Sequence, residues 1–327
     1  MSAPPDRPTD DAAFNSVDWS LFIAISLIWG SSFLLIAMGL EGLTPGMVTL
    51  ARVGSGAATL LVLRAVGGAG SAPIARSDRG RVVALSVIWV AVPFTLFPLA
   101  QEHINSALTG LLNGATPIFV AIVASIITRR RPRGVVLVGL LIGFLGVVVL
   151  SLPSIGDGGS ELRGVLLVVG ATVCYGVAMN LAAPLQRRYG AMTLMTPVLA
   201  LATLWLLPLG LRDWGDNRWT ASSVLPVLML GIVGTGLAYW IMATLVGRAG
   251  PVRASFITYL IPVVSLILGV VVRGDRIAAI ALVGAVLTTF GAVLASGRLR
   301  RFGSADGVGE KPVVEAASLL ENRHQVR

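Results

Sequence analysis

Apolar residues fill most of this chain in long runs, and the segments between the runs are short, polar and rich in arginine. A helix needs about 20 mostly apolar residues to cross a bilayer. Ten runs meet this requirement, at residues 19–38, 44–63, 82–99, 105–127, 135–152, 164–181, 194–211, 224–245, 254–272 and 277–296. The pattern predicts an all-α polytopic membrane protein with ten transmembrane helices, and it leaves no length for a soluble domain between them.

The basic residues alternate between the two sides of these predicted helices. If residue 1 lies in the cytoplasm, 19 of the 25 Lys and Arg residues are cytoplasmic, five lie on the opposite side, and Arg52 lies within a helix. Because basic residues are enriched on the cytoplasmic side of membrane proteins, we predict a multi-pass protein of the inner (plasma) membrane with both termini in the cytoplasm. The polar tails at 1–18 and 299–327 are predicted to be disordered.

The chain also contains an internal repeat. An offset of 145 residues superposes Pro117 on Pro262, and it superposes residues 137–139 on 282–284, which read Leu-Val-Gly in both places. The predicted repeats, with five helices each, are residues 19–152 and 164–298. Because five is odd, the second repeat enters the membrane from the opposite side. Such inverted repeats are typical of secondary transporters.

Short motifs in both halves resemble one transporter family. They are LIWGSSF at 27–33, LNGATP at 112–117, GIVGTGLAY at 231–239 and YLIP at 259–262. In this order and spacing, the chain resembles the EamA-like branch of the drug/metabolite transporter superfamily from residue 19 to about 298. The resemblance implies a transporter, most often an exporter, of amino acids or related metabolites. It also implies an acidic residue at the ends of helices four and nine; Asp275 holds the second position, whereas Arg130 occupies the first.

Arg52 is the most informative single residue. It is the ninth residue of the second predicted helix, about 13 Å along it at 1.5 Å per residue. A charge at that depth costs several kcal/mol unless it faces a cavity or a partner, so a functional role is the first hypothesis. A carboxylate or a phosphate would suit the planar fork of donors on the guanidinium. The alternative is that Arg52 binds backbone carbonyls and holds the helix bundle together.

Polar and aromatic side chains at membrane depth recur at helical spacing, as Trp29 and Ser32 do at positions i and i+3. We predict that such residues line an aromatic-rimmed path for a small molecule. The predicted pathway residues are Trp29, Ser32, Arg52, Trp89, Asn113, Tyr175, Tyr239 and Tyr259. The alternative for each of them is packing between helices or anchoring at the membrane interface.

Two further groups of residues suggest movement and coupling. Glu102 and His103 form a possible titrating pair at the end of the third predicted helix, because histidine changes charge near neutral pH; the alternative is a solvated pair at a loop edge. Proline and glycine weaken helices. The predicted bending points, which would otherwise be passive kinks, are Pro93, Pro117, Gly234 and Pro262.

Several classes of function are disfavoured. The net charge of +9 comes from residues that flank membrane helices, so no nucleic-acid partner is expected. The only lysine, Lys311, stands outside any phosphate-binding loop, so no ATPase subunit is implied. Two histidines, far apart in the sequence, predict no metal site, and no cofactor is expected. No catalytic constellation indicates an enzyme.

The sequence therefore predicts a secondary transporter, most simply an exporter, that moves small organic metabolites such as amino acids by alternating access. Its expected partners are a small-molecule substrate and the lipid bilayer. A channel-like facilitator without an obligatory carrier cycle is the alternative function. One chain with both repeats suffices as a monomer, and a homodimer stays open.

Overall fold

The computed structural model describes residues 15–67, 73–129, 131–132, 134–155 and 160–295, and within these ranges every regular element is helical. The α-helices are α1 (Ser16–Gly30), α2 (Ser32–Leu40), α3 (Pro45–Val66), α4 (Arg79–Leu85), α5 (Val92–Gln101), α6 (Ser106–Asn113), α7 (Thr116–Thr128), α8 (Val135–Ser151), α9 (Ser160–Tyr189), α10 (Ala191–Arg212), α11 (Ala221–Gly231), α12 (Ala238–Ala254), α13 (Ile257–Arg273) and α14 (Ala279–Ala295). Short 3₁₀ turns are present at Arg76–Asp78, Leu152–Ile155 and Trp214–Asp216.

Neighbouring helices join into longer apolar rods. Seven rods are long and apolar enough to cross a membrane: Ser16–Leu40, Pro45–Val66, Arg76–Gln101, Ser106–Thr128, Ser160–Tyr189, Ala191–Arg212 and Ala221–Gly250. Three shorter apolar helices, α8, α13 and α14, have 17 residues each. All ten predicted apolar runs overlap one of these segments. The chain is therefore an all-helical polytopic membrane protein.

The first helix begins earlier than the sequence predicts. The Asn15 side chain accepts a hydrogen bond from the Asp18 amide (3.0 Å), and the Asn15 amide donates to Asp18 Oδ2 (3.2 Å). This reciprocal capping box starts the helix at Ser16. Residues 16–18, predicted as part of the tail, thus form the first helical turn. Residues 1–14 and 299–327 of the predicted tails lie outside the described residues, as do Arg130 and residues 296–298 at the end of the second predicted repeat.

Large apolar side chains face outward over much of the molecule. Val271, Val286 and Leu141 are 76%, 69% and 63% exposed, respectively. They belong to α13, α14 and α8, the three shorter helices. In water such a surface would be unfavourable, whereas hydrocarbon chains of a bilayer cover it without cost. The outward faces of these helices are therefore suited to contact with lipid.

The helices α8 and α14 approach each other closely through glycine. A side chain on Gly139 would collide with the backbone nitrogen of Ala295, and one on Gly146 would collide with that of Thr288. Small residues at such contacts allow two backbones to pack tightly where no hydrophobic effect drives association. The glycines of this region serve packing.

Six interruptions break the helical segments, and one of them is the non-helical backbone at Gly250 (φ 81°) inside α12. Turns separate α1 from α2 at Ser31, α6 from α7 at Gly114 and Ala115, and α12 from α13 at Ser255 and Phe256. Two further rods contain a π-helical turn, at Ser86–Ala91 between α4 and α5 and at Ile232–Leu237 between α11 and α12. A π-turn carries one extra residue and is often found at functional sites.

Polar contacts join helix ends that are distant in sequence. Arg248 Nε lies 2.7 Å from Asp18 Oδ1. Arg273 Nη1 lies 2.5 Å from Glu41 Oε1. In addition, the carboxylate of Asp275 accepts hydrogen bonds from the Ser106 hydroxyl and the Ala107 amide at the start of α6, at 2.7 and 3.0 Å. These contacts connect the first half of the chain to the second.

Candidate functional site

A cavity of about 170 Å³ lies among segments from both halves of the chain. Its lining comprises Trp29, Ser32, Phe33, Arg52, Trp89, Phe94, Phe97, Asn113, Thr116, Tyr175, Met179, Tyr239, Thr258 and Ile261. Seven of the eight predicted pathway residues are among them. The exception is Tyr259. Residues that are separated by up to 232 positions in sequence are thus brought to one place by the fold.

Arg52 on α3 is held at the cavity wall by two contacts. Its Nε donates a hydrogen bond to Thr235 Oγ1 (3.3 Å), and its guanidinium carbon lies 3.9 Å from the centre of the Phe94 ring. Thr235 in turn donates to the Leu230 carbonyl five residues earlier (3.1 Å), the spacing of a π-turn. The side chain of Arg52 is therefore fixed by the second π-turn and by the third rod, and only 8% of the residue is exposed.

The remaining donors of Arg52 have no protein partner among the described residues. Its two terminal nitrogens make no hydrogen bond there, and neither is sealed from the cavity. Within the same residues, no carboxylate lies within 4.0 Å of the guanidinium, and the cavity lining contains no Asp or Glu. An arginine at the centre of a membrane helix costs about 2.5–3.5 kcal/mol. This cavity retains that charge without neutralising it.

Three further polar groups of the cavity lining also lack a hydrogen-bond partner among the described residues. The hydroxyls of Tyr175 and Tyr239 make no hydrogen bond to a described residue, and neither does the amide nitrogen of Asn113. All three can donate hydrogen bonds. By contrast, the Ser32 hydroxyl is occupied, since it donates to the Ile28 carbonyl (3.3 Å). The cavity is therefore rich in unused donors.

Aromatic rings form most of the remaining wall. Trp29 and Tyr239 pack edge to face with ring centroids 6.2 Å apart. Phe97 contacts both Phe33 and Tyr175, at 5.4 and 5.9 Å. Edge-to-face and tilted contacts of this kind fix ring orientations and contribute about 0.5–1.5 kcal/mol each. Half of the lining residues are therefore aromatic, and several of their rings contact one another.

Tyr259 points away from this cavity. Its hydroxyl donates to the Ala292 carbonyl on α14 (3.3 Å), and Thr258 and Ile261 line the cavity instead. The sequence predicts one helix over 254–272, whereas α13 begins only at Ile257 after the turn at Ser255 and Phe256. The start after the turn determines which face of α13 meets the cavity.

The predicted titrating pair lies elsewhere. Glu102 borders a polar depression near Glu41 and Arg218, and the Nδ1 atom of His103 is 3.0 Å from the Ser160 hydroxyl. Neither residue lines the cavity of Arg52, so a role in coupling stays a prediction. Among the described residues, no group of three His, Cys, Asp or Glu side chains is placed to hold a metal ion.

Three of the four predicted bending residues lie at or near interruptions of a helix, whereas Pro262 lies inside α13. Pro93 follows the first π-turn, and Gly234 lies within the second. Pro117 begins α7 after the turn at Gly114 and Ala115. Pro262 lies in α13, whose start follows the turn at Ser255 and Phe256. Three of these interruptions lie next to the cavity, because Trp89 in the first π-turn and Thr116 and Thr258 just after the two turns line it.

Comparisons with known proteins agree with this architecture. An uncharacterized transporter from Archaeoglobus fulgidus is 27% identical over 84% of this chain and 96% of its own length. A probable terminal-alkyne amino-acid exporter from Streptantibioticus cattleyicolor is 22% identical over 86% of this chain and 93% of its own. A crystal structure with 21% sequence identity shares the fold, with a TM-score of 0.61 over 88% of this chain and all of that chain.

A family model also matches the chain, and it does so twice. The model of the EamA-like transporter family covers residues 19–152 and again residues 162–297. These ranges hold almost all the helices and every residue of the cavity. The chain belongs to the EamA-like transporter family.

Proposed function

We propose that this protein is a secondary transporter in which ten membrane-spanning helices form two inverted five-helix repeats. The double match to the family model supports two equivalent halves. The seven long rods and the three 17-residue helices supply ten segments, and helices of about 17 residues are at the lower limit for a span. Five segments per half reverse the second half in the membrane, which is the arrangement of many secondary transporters.

The cavity around Arg52 is the proposed substrate site. The observation that carries this proposal is the guanidinium of Arg52, buried between the halves with two terminal nitrogens that no described residue binds. Buried polar groups are almost always hydrogen-bonded. A transported molecule that reaches this site would satisfy those donors, and the Tyr175 and Tyr239 hydroxyls would add to its binding.

Alternating access would use the bends around the site. The two π-turns start 146 residues apart, close to the repeat offset of 145, so they occupy equivalent helices of the two halves. Trp89 in the first π-turn lines the cavity, and Thr235 in the second π-turn accepts the hydrogen bond from Arg52. Bending at both turns would expose the site to one side of the membrane and then to the other.

The proposed substrates are small organic metabolites such as amino acids, moved outward across the plasma membrane. A cavity of about 170 Å³ is smaller than the roughly 300–1,000 Å³ of sites for drug-sized molecules. The probable terminal-alkyne amino-acid exporter of Streptantibioticus cattleyicolor is similar to this chain over most of its length. The excess of basic residues on one side supports cytoplasmic termini. A single chain provides both halves, so a monomer would suffice.

Counterflow in proteoliposomes tests this function. The vesicles are loaded with a mixed pool of unlabelled amino acids and related acids, and single labelled compounds are added outside. A carrier accumulates one labelled class transiently, and Arg52→Gln abolishes that accumulation. Arg187→Gln is the matched control, because it removes an exposed arginine at the end of α9 that makes no ion pair with a described residue. If no class accumulates with correctly inserted protein, the carrier function is wrong and a channel-like facilitator becomes the better hypothesis.

A further inference from the structure

The cavity of Arg52 carries one formal charge and no opposing charge. Among the described residues, the Arg52 guanidinium is the only ionised group in the lining, and the other side chains are aromatic, aliphatic, hydroxyl, thioether or amide groups. The donors without a described partner are the terminal nitrogens of Arg52, the hydroxyls of Tyr175 and Tyr239 and the amide of Asn113. A ligand with hydrogen-bond acceptors and a negative charge would pair with these donors and with the charge of Arg52.

The number of charges on the ligand matters because the site lies in a medium of low dielectric constant. A ligand with one negative charge would neutralise Arg52, and the occupied cavity would carry no net charge. A zwitterionic amino acid would bring an ammonium group as well, so the occupied cavity would keep a charge of +1. A phosphate dianion would leave a charge of −1. Uncompensated charge in such an environment is strongly unfavourable.

An ammonium group would also find few partners here. The lining offers it no carboxylate. The rings of Trp29 and Trp89 could attract a cation through their faces, but Trp29 packs edge to face against Tyr239 and the same cavity already holds the Arg52 cation. Two cations in one small cavity repel each other more strongly than in water. The aromatic wall is better matched to an apolar body.

We propose that the site selects small monocarboxylates that carry no ammonium group, such as 2-oxo acids, in preference to the zwitterionic amino acids of the same carbon skeleton. This inference rests on the proposed function, because it assigns the substrate class of the same cavity. The carboxylate would bind the two terminal nitrogens of Arg52 in the bidentate manner that suits a guanidinium. The rest of the molecule would lie against Phe97, Tyr175 and Trp89.

The test compares three compounds with one skeleton in counterflow with the full-length protein. Leucine is the zwitterion, 4-methyl-2-oxopentanoate is the monoanion, and 3-methylbutylamine is the cation. Each is labelled and added outside vesicles that hold the same unlabelled compound. The 2-oxo acid is ionised at neutral pH, so its passive leak is small, and protein-free liposomes give the background. Phenylalanine, phenylpyruvate and phenethylamine form a second set with a larger body.

We expect the 2-oxo acid to accumulate at least about tenfold more than the amino acid in one set or both, and the amine to remain at background. Arg52→Lys should retain the preference with weaker transport, because it keeps the charge and loses the bidentate geometry. Arg52→Gln should lose this preference. Arg52→Lys is included because the role of Arg52 can then still be tested if Arg52→Gln does not fold.

Each other outcome overturns the proposal. Equal or greater accumulation of the amino acid would show that the ammonium group is tolerated, and the transport function would stand without this substrate class. Accumulation of the amine would contradict the charge argument directly. Failure of both sets while another metabolite accumulates refutes the monocarboxylate class but keeps the carrier. If nothing accumulates, both the substrate class and the proposed function are wrong.

Discussion

At the scale of single residues, Arg52 combines two roles that the sequence analysis set against each other. Its Nε and ring contact attach it to Thr235 and Phe94, as a residue that holds the bundle would be. Its terminal nitrogens face the cavity without a described partner, as a binding residue would. Because the guanidinium has five N–H donors, one side chain can serve both purposes.

The cavity tyrosines test whether unused donors serve binding. Tyr175→Phe and Tyr239→Phe remove hydroxyls that no described residue binds, so neither change should lower the melting temperature. If these hydroxyls bind substrate, each change should raise the KM for transport roughly fivefold, since a neutral hydrogen bond contributes about 1 kcal/mol. Concentration-dependent counterflow gives the KM, and thermal unfolding in detergent gives the stability.

Tyr189→Phe is the matched control for that pair. Its hydroxyl donates to Asp78 Oδ2 (2.7 Å) and accepts from the Ala75 amide (3.2 Å), and Asp78 is buried. Its loss should therefore lower the melting temperature and leave the KM unchanged. A lower melting temperature for the cavity variants with no change in KM would show that their hydroxyls are structural.

Polarity determined which cavity residues the sequence could predict. Arg52, Asn113 and Tyr239 were identifiable because a polar group contrasts with an apolar span. Phe94, Phe97 and Ile261 line the same cavity and were not predicted, since an apolar residue in an apolar span has no contrast. Met179 was missed although it follows Tyr175 by four residues and so shares its helix face.

At the scale of helices, the two π-turns are the features that sequence periodicity could not give. The 3.6-residue period assumes a regular α-helix, and a single extra residue in one turn cannot be recognised in the spacing of apolar positions. Pro93 follows the first π-turn and Gly234 lies within the second, and their role as bending points stays a prediction. The registers after Ile232–Leu237 and after the turn at Ser255 and Phe256 followed only from the structure.

Removing one residue from the second π-turn tests its role. Deletion of Val233 shortens the spacing between Thr235 and Leu230 from five residues to four, which suits a regular α-helix, so the variant should fold with its flanking faces unchanged. We expect turnover to fall about tenfold, which corresponds to a rise of about 1.4 kcal/mol in the barrier. Transport rate and size-exclusion profile are the two measurements.

Deletion of Ala243 in the part of α12 before Gly250 is the control for this experiment. It rotates the following residues by about 100°, including Leu245, which is fully buried. That variant should misfold. Wild-type turnover after deletion of Val233 would mean that the π-turn is a passive irregularity.

At the scale of the whole molecule, the polar contacts agree with the orientation derived from basic residues. Asp18 and Arg248 fall on the predicted cytoplasmic side, and they form an ion pair. Glu41 and Arg273 fall on the opposite side and also pair. Eight of the proposed spans lie between the partners of each pair, and an even number returns the chain to the same side of the membrane. The two contacts therefore agree with the proposed orientation of the helices between Asp18 and Arg273.

Cysteine labelling tests this topology. In a Cys174→Ala background, Ser77→Cys and Ser222→Cys place single thiols at exposed positions before α4 and within α11. A membrane-impermeant maleimide on intact cells should label the cysteine at 222 at once and the one at 77 only after permeabilisation. Labelling of both from the same side would contradict the ten-helix arrangement.

The measurement that tests the central claim most directly is trans-stimulation of efflux. Proteoliposomes are loaded with the labelled compound that counterflow identifies, and its exit is followed with and without the same unlabelled compound outside. A carrier must return to its first conformation after each release, and substrate on the far side speeds this return. We therefore expect the labelled compound to leave faster when the unlabelled compound is outside, and we expect Arg52→Gln to lose this acceleration. An exit rate that the outside compound leaves unchanged would contradict the account and indicate a channel-like pathway.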